Sequence, residues 1–352
     1  MKNYFDRFLE KITYDIGIDL GTANTLVALK NFGIVIHEPS VVAVNKNTNE
    51  VLAVGLEARH MIGRTPSYIT SVSPLRDGII TDFDITEAMV RYFLNKVHRD
   101  FPKFFNISRP RLVIGVPSKI TEVEVKAVVD AGISAGARKV YIIEEPMAAA
   151  IGTKLPIENA TGNMIVDIGG GTTDIAVISL GGIIVDNTIK IAGNEMDEAI
   201  VNYIRNKYNL LIGVKMAEDI KIELGSAIPQ KKEETIEVKG RDLVTGLPKV
   251  IKFTSVEVRE AIMGEIEKIT EAIKEAIEKT PPEIISDLLE KGIILTGGGS
   301  LIRGLDKFLE KRLKLPVLTV EDPMASVAKG TEILLDEIDL LEKVKVEHND
   351  II

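Results

Sequence analysis

Two hydrophobic patterns alternate along this chain, and they run in the same order twice. Short apolar stretches come first, at residues 16–20, 26–29, 34–36 and 41–44, separated by turns that contain glycine, and they predict a meander of strands. Residues 45–80 are mixed and turn-rich, with Pro66, Pro74 and Asp77-Gly78, and predict a small insertion. The period then changes: Ile85, Ala88, Met89, Tyr92, Phe93 and Leu94 recur at helical spacing within 85–97. A strand at 112–116, a helix from about 121 to 135 that opens on the capping-box candidate Thr121-Glu-Val-Glu124, and a strand at 140–143 complete a crossover unit.

From residue 164 the order repeats. Strands at 164–166, 175–178 and 183–185 lead into a longer insertion at about 194–252, then helical spacing at 256–277, a strand at 293–295, a helix near 301–313 and a strand at 317–320. The pattern predicts a duplicated α/β protein, with one domain over 15–160 plus 333–352 and the other over 161–332. Their mostly parallel five-stranded sheets are expected to face each other across a cleft, with ligand beyond the strand ends.

The duplication is visible in the residues themselves. Asp19-Leu-Gly-Thr-Ala-Asn-Thr25 recurs without a gap as Asp167-Ile-Gly-Gly-Gly-Thr-Thr173 at an offset of 148 residues, and Ala28 likewise meets Ala176. Further on, Ile143-Glu-Glu-Pro-Met-Ala-Ala149 resembles Val320-Glu-Asp-Pro-Met-Ala-Ser326, and Gly115-Val-Pro-Ser118 loosely resembles Gly297-Gly-Gly-Ser300. A single Asp-x-Gly-x-Thr hairpin is most simply a turn. Two in register, inside matching apolar frames, point to paired phosphate loops.

Glycine lets backbone N–H groups approach phosphate oxygens closely, so Thr22, Ala23 and Asn24 in one loop and Gly170, Gly171 and Thr172 in the other are candidate donors. Neither loop has the Gly-Lys-Ser/Thr of a Walker motif, which excludes a P-loop enzyme. Asp19 and Asp167 facing one phosphate would repel it, so a Mg²⁺ held through water is expected between them and the ligand. The Thr296–Ser300 turn offers backbone to a base or ribose, or is a plain helix entry. Glu218 and Lys221, one helical turn apart, either close over the nucleoside or form a solvated ion pair. Glu145, directly before Pro146 at a helix start, is the candidate to position or polarise a water, with Thr172 holding that water or the phosphate; its alternative is a helix cap.

Composition narrows the class. A chain of 352 residues suits two domains, and 43 basic against 52 acidic residues, a formal charge of -9, argue against a broad nucleic-acid surface. With no cysteine there is no disulfide and no thiolate metal site, and no apolar run reaches signal-peptide or membrane-span length, so a cytoplasmic protein is expected.

The strings Asp15-Ile-Gly-Ile-Asp-Leu-Gly-Thr-Ala-Asn-Thr-Leu-Val27, His37-Glu-Pro-Ser-Val-Val42, Pro74-Leu-Arg-Asp-Gly78, Glu144-Glu-Pro-Met-Ala-Ala-Ala-Ile-Gly152, Val166-Asp-Ile-Gly-Gly-Gly-Thr-Thr173, Ala192-Gly-Asn-Glu-Met-Asp197 and Leu295-Thr-Gly-Gly-Gly-Ser300 resemble the actin, sugar-kinase and chaperone-ATPase superfamily, and more closely the bacterial actin MreB family, over nearly the whole chain. The resemblance implies duplicated actin-like, ribonuclease H-like domains around a nucleotide cleft, each with a small inserted subdomain. It implies an ATP-dependent, slowly hydrolysing filament protein, with self-association into antiparallel paired protofilaments on the inner membrane face and a role in cell shape, and membrane-spanning cell-shape proteins as further partners. Nucleotide contacts would fall to Thr22, Ala23 and Asn24; to Gly169, Gly170, Gly171 and Thr172; to Glu218, Asp219, Ile220 and Lys221; and to Gly297, Gly298, Gly299, Ser300 and Leu301. Glu145 and Thr172 match the hydrolysis pair. The lysine that eukaryotic actin carries in its first phosphate loop is missing here. A nucleotide-binding scaffold with little turnover is the rival reading; a small-molecule kinase would need a sugar pocket that cannot be read in the inserts.

Two segments suggest anionic lipid as a partner. Residues 1–14 precede the duplicated core, and Tyr4, Phe5, Phe8, Leu9 and Ile12 fall within an arc of about 140° on a helical wheel, flanked by Lys2 and Lys11. The loop 101–111 carries Phe104 and Phe105 among cations, at the position where MreB relatives have a membrane-inserting loop. Packing of either segment on the protein itself is the alternative.

Overall fold

The computed structural model describes residues 14–76, 79–101 and 109–347, so the expected lipid-contacting residues Tyr4, Phe5, Phe8, Leu9, Ile12, Phe104 and Phe105 lie outside the described residues. The chain divides into two compact units, one of residues 1–160, 178–183 and 324–352, the other of 161–177 and 184–323. The return to the first unit thus falls at Met324, before the expected 333, and the turn at 178–183 also belongs to that unit.

The first unit is built on β1 (Ile16–Leu20), β2 (Asn24–Leu29) and β3 (Gly33–Pro39). Every residue of β1 is buried, as a central strand covered on both faces requires. The expected meander stops at Pro39. Pro39 closes β3 opposite Asn24, the Val41 N–H turns back to the Pro39 carbonyl, and β4 (Val42–Asn45) pairs with β5 (Glu50–Val54) and β6 (Ile69–Val72) in a separate sheet. That sheet, with helix α1 (Leu56–Met61), forms most of the first insertion, followed by the short pair β7 (Leu75–Arg76) and β8 (Ile79–Ile80).

Helix α2 (Phe83–Asp100) is capped by Asp82, which accepts from Ile85 N at 3.1 Å. It buries Met89, Val90, Phe93, Leu94 and Val97. The crossover follows as β9 (Arg111–Val116), α3 (Glu122–Ser134), β10 (Lys139–Glu144) and α4 (Glu145–Gly152). The capping box at Thr121 and Glu124 forms as the sequence predicts, with both reciprocal bonds present. The sheet order is β10-β9-β1-β2-β3, with β10, β9 and β1 parallel and the β1-β2 and β2-β3 pairs antiparallel. It is therefore evenly mixed rather than mostly parallel.

The second unit repeats this order. Strands β11 (Asn163–Ile168), β12 (Thr173–Ser179) and β13 (Gly182–Ile189) come first, and β17 (Ile293–Thr296) and β18 (Val317–Thr319) extend β11 in parallel, giving β13-β12-β11-β17-β18. Between them lie α5 (Gly193–Tyr208), β14 (Leu210–Leu211), α6 (Val214–Leu224), β15 (Thr235–Asp242), β16 (Pro248–Thr254), α7 (Ser255–Lys279) and α8 (Pro282–Lys291). Strands β14 to β16 form a sheet of their own in the second insertion. The helix expected near 301–313 is two pieces, a 3-10 turn at Gly298–Leu301 and α9 (Leu305–Leu313), because Gly304 adopts φ 73° between them.

Helices α10 (Ser326–Asp336) and α11 (Ile338–Val344) complete the first unit. α10 lies against α4 so closely that a Cβ on Gly330 would sit 1.8 Å from the Ala148 carbonyl oxygen. Small residues are thus needed where the two backbones meet, and this crossing fixes α4 against the sheet. Below it, Asp15 is buried between two guanidiniums: Arg111 pairs with one carboxylate oxygen, and Arg138 reaches the other at 3.0 Å.

Candidate functional site

In the first unit the chemistry gathers where the parallel strands end. Asp19, Gly115 and Ile143 are register partners across β1, β9 and β10, so Asp19 and the start of α4 stand at the same end of the sheet. Glu145 is the first residue of α4, with Glu144 as its N-cap and Pro146 behind it. Its Cγ lies 3.6 Å from where a Cβ on Gly115 would project, and the residue is buried. A carboxylate in the first turn of a helix meets the positive end of the dipole, which favours its charged form.

Asp19 differs from Asp15 at the far end of the same strand. Asp15 has two arginines, whereas burial pushes the Asp19 carboxyl up to about 7. A buried carboxylate in that state is stabilised by a cation. Among the described residues no group of three or more His, Cys, Asp or Glu could hold a metal. That donor set suits Mg²⁺, which takes one or two carboxylates and completes its shell with water and phosphate oxygens; it does not suit an ion held by protein alone.

The turn after Asp19 is shaped by a serine. Ser40 Oγ donates to the Gly21 carbonyl at 2.5 Å and lies 2.8 Å from Thr25 Oγ1, while Ser40 N donates to the Ala23 carbonyl at 3.0 Å. Ser73 Oγ has a single proton, and the Leu75 carbonyl at 2.7 Å is nearer to it than those of Ser40 at 3.0 Å and Thr22 at 3.2 Å. Two of the turn carbonyls, at Gly21 and Ala23, are therefore held by Ser40. In a planar trans peptide the following N–H points opposite to its carbonyl, so the N–H groups of Thr22 and Asn24 are turned away from Ser40. They are two of the three donors that the sequence suggests in this loop.

In the second unit the equivalent turn closes with Gly169 N donating to the Thr172 carbonyl at 2.9 Å. Here backbone holds the carbonyls: Gly193 N donates to Gly169 O at 3.2 Å and Asn194 N to Gly170 O at 2.8 Å, both from the first turn of α5. The N–H groups of Gly170 and Gly171 are thereby directed away from α5. Thr172 is buried directly after them. Asp167 is in register with Thr296, and Gly297, at φ 79°, passes so close that a Cβ would lie 2.3 Å from Asp167 Oδ1. The Thr296–Ser300 turn is thus packed onto the strand that carries Asp167. Within it, Ser300 Oγ donates to Gly297 O at 2.7 Å, and Gly298 and Leu301 are exposed.

The residues expected on α6 divide. Ile220 faces the core, so its side chain is withdrawn from any ligand; Glu218 is half-buried and Asp219 exposed. The Lys221 ammonium is engaged within the protein, donating to Gly193 O at 2.7 Å and pairing with Asp197 at 2.9 Å. It is not the solvated partner of Glu218 that the alternative reading would make it. Sequence reasoning assigned no role to Ser40, Ser73, Gly193, Asn194 or Asp197. Ser40 and the 193–197 residues stand inside two of the strings that carry the family resemblance, which was their only signal.

Duplicated mixed sheets in one strand order, each with a glycine turn after its first strand, define an actin-like protein. The MreB/Mbl protein family model matches residues 13–343, and the chain belongs to that family. It is 52% identical over 329 residues to the cell shape-determining protein Mbl of Bacillus cereus (strain ATCC 10987 / NRS 248), covering 94% of this chain and 98% of that protein. Among solved structures, MreB5 of Spiroplasma citri, determined bound to ADP and to AMPPNP, is 39% identical with TM-score 0.87, covering 93% of this chain and 97% of that one. The MamK double helical filament is 25% identical with TM-score 0.77, over 92% and 99% of the respective chains.

Proposed function

We propose that this protein is a cytoskeletal ATPase that binds Mg-ATP, assembles with copies of itself into filaments and lies on the inner face of the cell membrane, where it organises cell shape. The observation that carries the nucleotide reading is the pair of glycine turns at equivalent strand ends, each with two carbonyls tied back so that the N–H groups following them are turned out. The ADP and AMPPNP of the Spiroplasma protein and the filament of MamK support the same reading.

In this reading the N–H groups of Thr22–Asn24 and of Gly170–Thr172 bind phosphate, and the 297–301 turn receives the nucleoside. Asp19 and Asp167 would hold hydrated Mg²⁺, which neutralises phosphate charge in the absence of a loop lysine. Glu145, at its helix start, orients a water for in-line attack on the γ-phosphate, and Thr172 holds that water or the phosphate. The membrane assignment rests on residues 1–12 and the 101–111 loop; among the described residues no helix is long and apolar enough to cross a membrane. Many weak contacts along a filament would add up to stable attachment.

Phosphate release in ATP, compared with Glu145→Ala, tests hydrolysis: wild-type release no faster than the variant's makes the protein a scaffold. Electron microscopy with ATP on lipid monolayers tests assembly, and monomers persisting at high concentration overturn it. Deleting residues 1–12 should weaken liposome co-sedimentation while ATP binding survives.

A further inference from the structure

We propose that Lys221 and Asp197 form a latch that positions the second phosphate turn, so that the inserted helix α6 sets how well Gly170 and Gly171 are held to receive phosphate. The inference rests on the nucleotide reading above and assigns Lys221 a role different from direct contact with base or ribose.

The chain of contacts is continuous. Lys221, on α6, reaches across to α5 and captures the Gly193 carbonyl at 2.7 Å and the Asp197 carboxylate at 2.9 Å. Gly193 and its neighbour Asn194 give their N–H groups to Gly169 O and Gly170 O. One peptide plane thus carries the connection: the Gly193 carbonyl held by Lys221 belongs to the same peptide as the Asn194 N–H held by the turn. Rotation of that plane would release both bonds together. There is little room for slack, since a Cβ on Gly193 would stand 3.2 Å from Lys221 Nζ and 3.3 Å from Gly169 O.

Asp197 supplies what Lys221 needs in order to stay. Both side chains are largely buried, and an ammonium withdrawn from water requires a compensating charge. Asp197 also buries its carboxylate at a cost, which burial expresses by pushing it up to about 6 against the pull of Lys221, with Glu218 and Glu195 pushing the same way as burial. Neither residue needs to touch a ligand. An ammonium has three N–H donors, so a further contact from Lys221 to nucleotide remains compatible with the two described. What the latch adds is a route by which a shift of α6, and with it the second insertion, changes phosphate affinity. Conversely, phosphate on the turn would hold α6 in place.

The test uses the full chain with Asp197→Asn, Lys221→Met and Lys221→Arg, measuring affinity for ATP and for adenosine, and amide hydrogen exchange at Gly169, Gly193 and Asn194 without nucleotide. The latch predicts that Asp197→Asn and Lys221→Met each weaken ATP binding about tenfold and adenosine binding less than about twofold, with Lys221→Arg recovering most of the loss. It also predicts exchange at Gly193 and Asn194, whose N–H groups the turn carbonyls hold, about tenfold faster in the first two variants. Exchange unchanged in a folded Asp197→Asn protein overturns the latch, as does an equal loss for adenosine and ATP in Lys221→Met. Should the wild type bind neither ligand, the nucleotide reading fails, and the exchange rates still decide the latch.

Discussion

The two glycine turns share a sequence pattern and a place in their sheets, yet they are held by different means. The first is shaped by one residue after the end of β3, Ser40, whose hydroxyl holds the Gly21 carbonyl and whose N–H holds that of Ala23. The second is shaped by backbone, the first N–H groups of α5, with a buried ion pair behind them. Both carboxylates are buried: burial raises Asp19 to about 7, and Asp167 lies under the close backbone of Gly297. Duplication has preserved the presentation of N–H groups and left the supporting contacts free to diverge. Under the proposed function presentation is what phosphate would meet, whereas support can be any set of donors that orients the carbonyls.

Four substitutions or measurements would break or sharpen that contrast. Gly297→Ala should have the largest effect, because a side chain at φ 79° would collide with Asp167 Oδ1 and the Ile168 carbonyl, each 2.3 Å away. A loss of roughly 2–6 kcal/mol is expected, read by denaturant unfolding, together with loss of nucleotide binding. Glu145→Ala, in the first unit only, should slow phosphate release about a hundredfold with ATP affinity unchanged, measured in single-turnover assays. A parallel fall in affinity would move Glu145 from chemistry to structure.

Ser40→Ala removes the side-chain bonds that have no counterpart in the second turn. Unfolding should become easier by about 1–3 kcal/mol and ATP should bind several-fold more weakly, with a smaller effect for the more exposed Ser73→Ala. Undiminished affinity in Ser40→Ala would mean that the first turn keeps its shape without its serine. The last effect concerns pH. Asp197 is raised from an ordinary carboxylate value to about 6, so the folded protein binds its proton more tightly than the unfolded chain does. The resulting stability is fully present below about pH 4 and is lost as pH rises through 6. Unfolding curves of wild type and Asp197→Asn should therefore diverge between pH 4 and 6 in favour of the wild type at the acid end, by on the order of 2 kcal/mol.

Much of this was legible before any coordinates. The strands at 16–20 and 112–116, the Thr121 capping box and both Asp-x-Gly turns follow from local rules of period, capping and turn chemistry. The switch of sheet after Pro39 was not legible, because the apolar run 41–44 has the same period whichever sheet receives it; the bonds of Ser40 to the first turn decide where it goes. Lys221 and Ile220 read alike as candidates on one helix, and only packing shows that one meets the core and the other meets Asp197.

The sequence by itself thus determined the duplication, the family and the two turns, since identical residues at a constant offset need no third dimension to be recognised. Tertiary structure alone decided what orients each turn. Those contacts join residues as far apart as Gly21 and Ser40, or Gly193 and Lys221. Such distant pairs leave no local period behind, and they form only once packing has excluded water and brought the donors to their carbonyls.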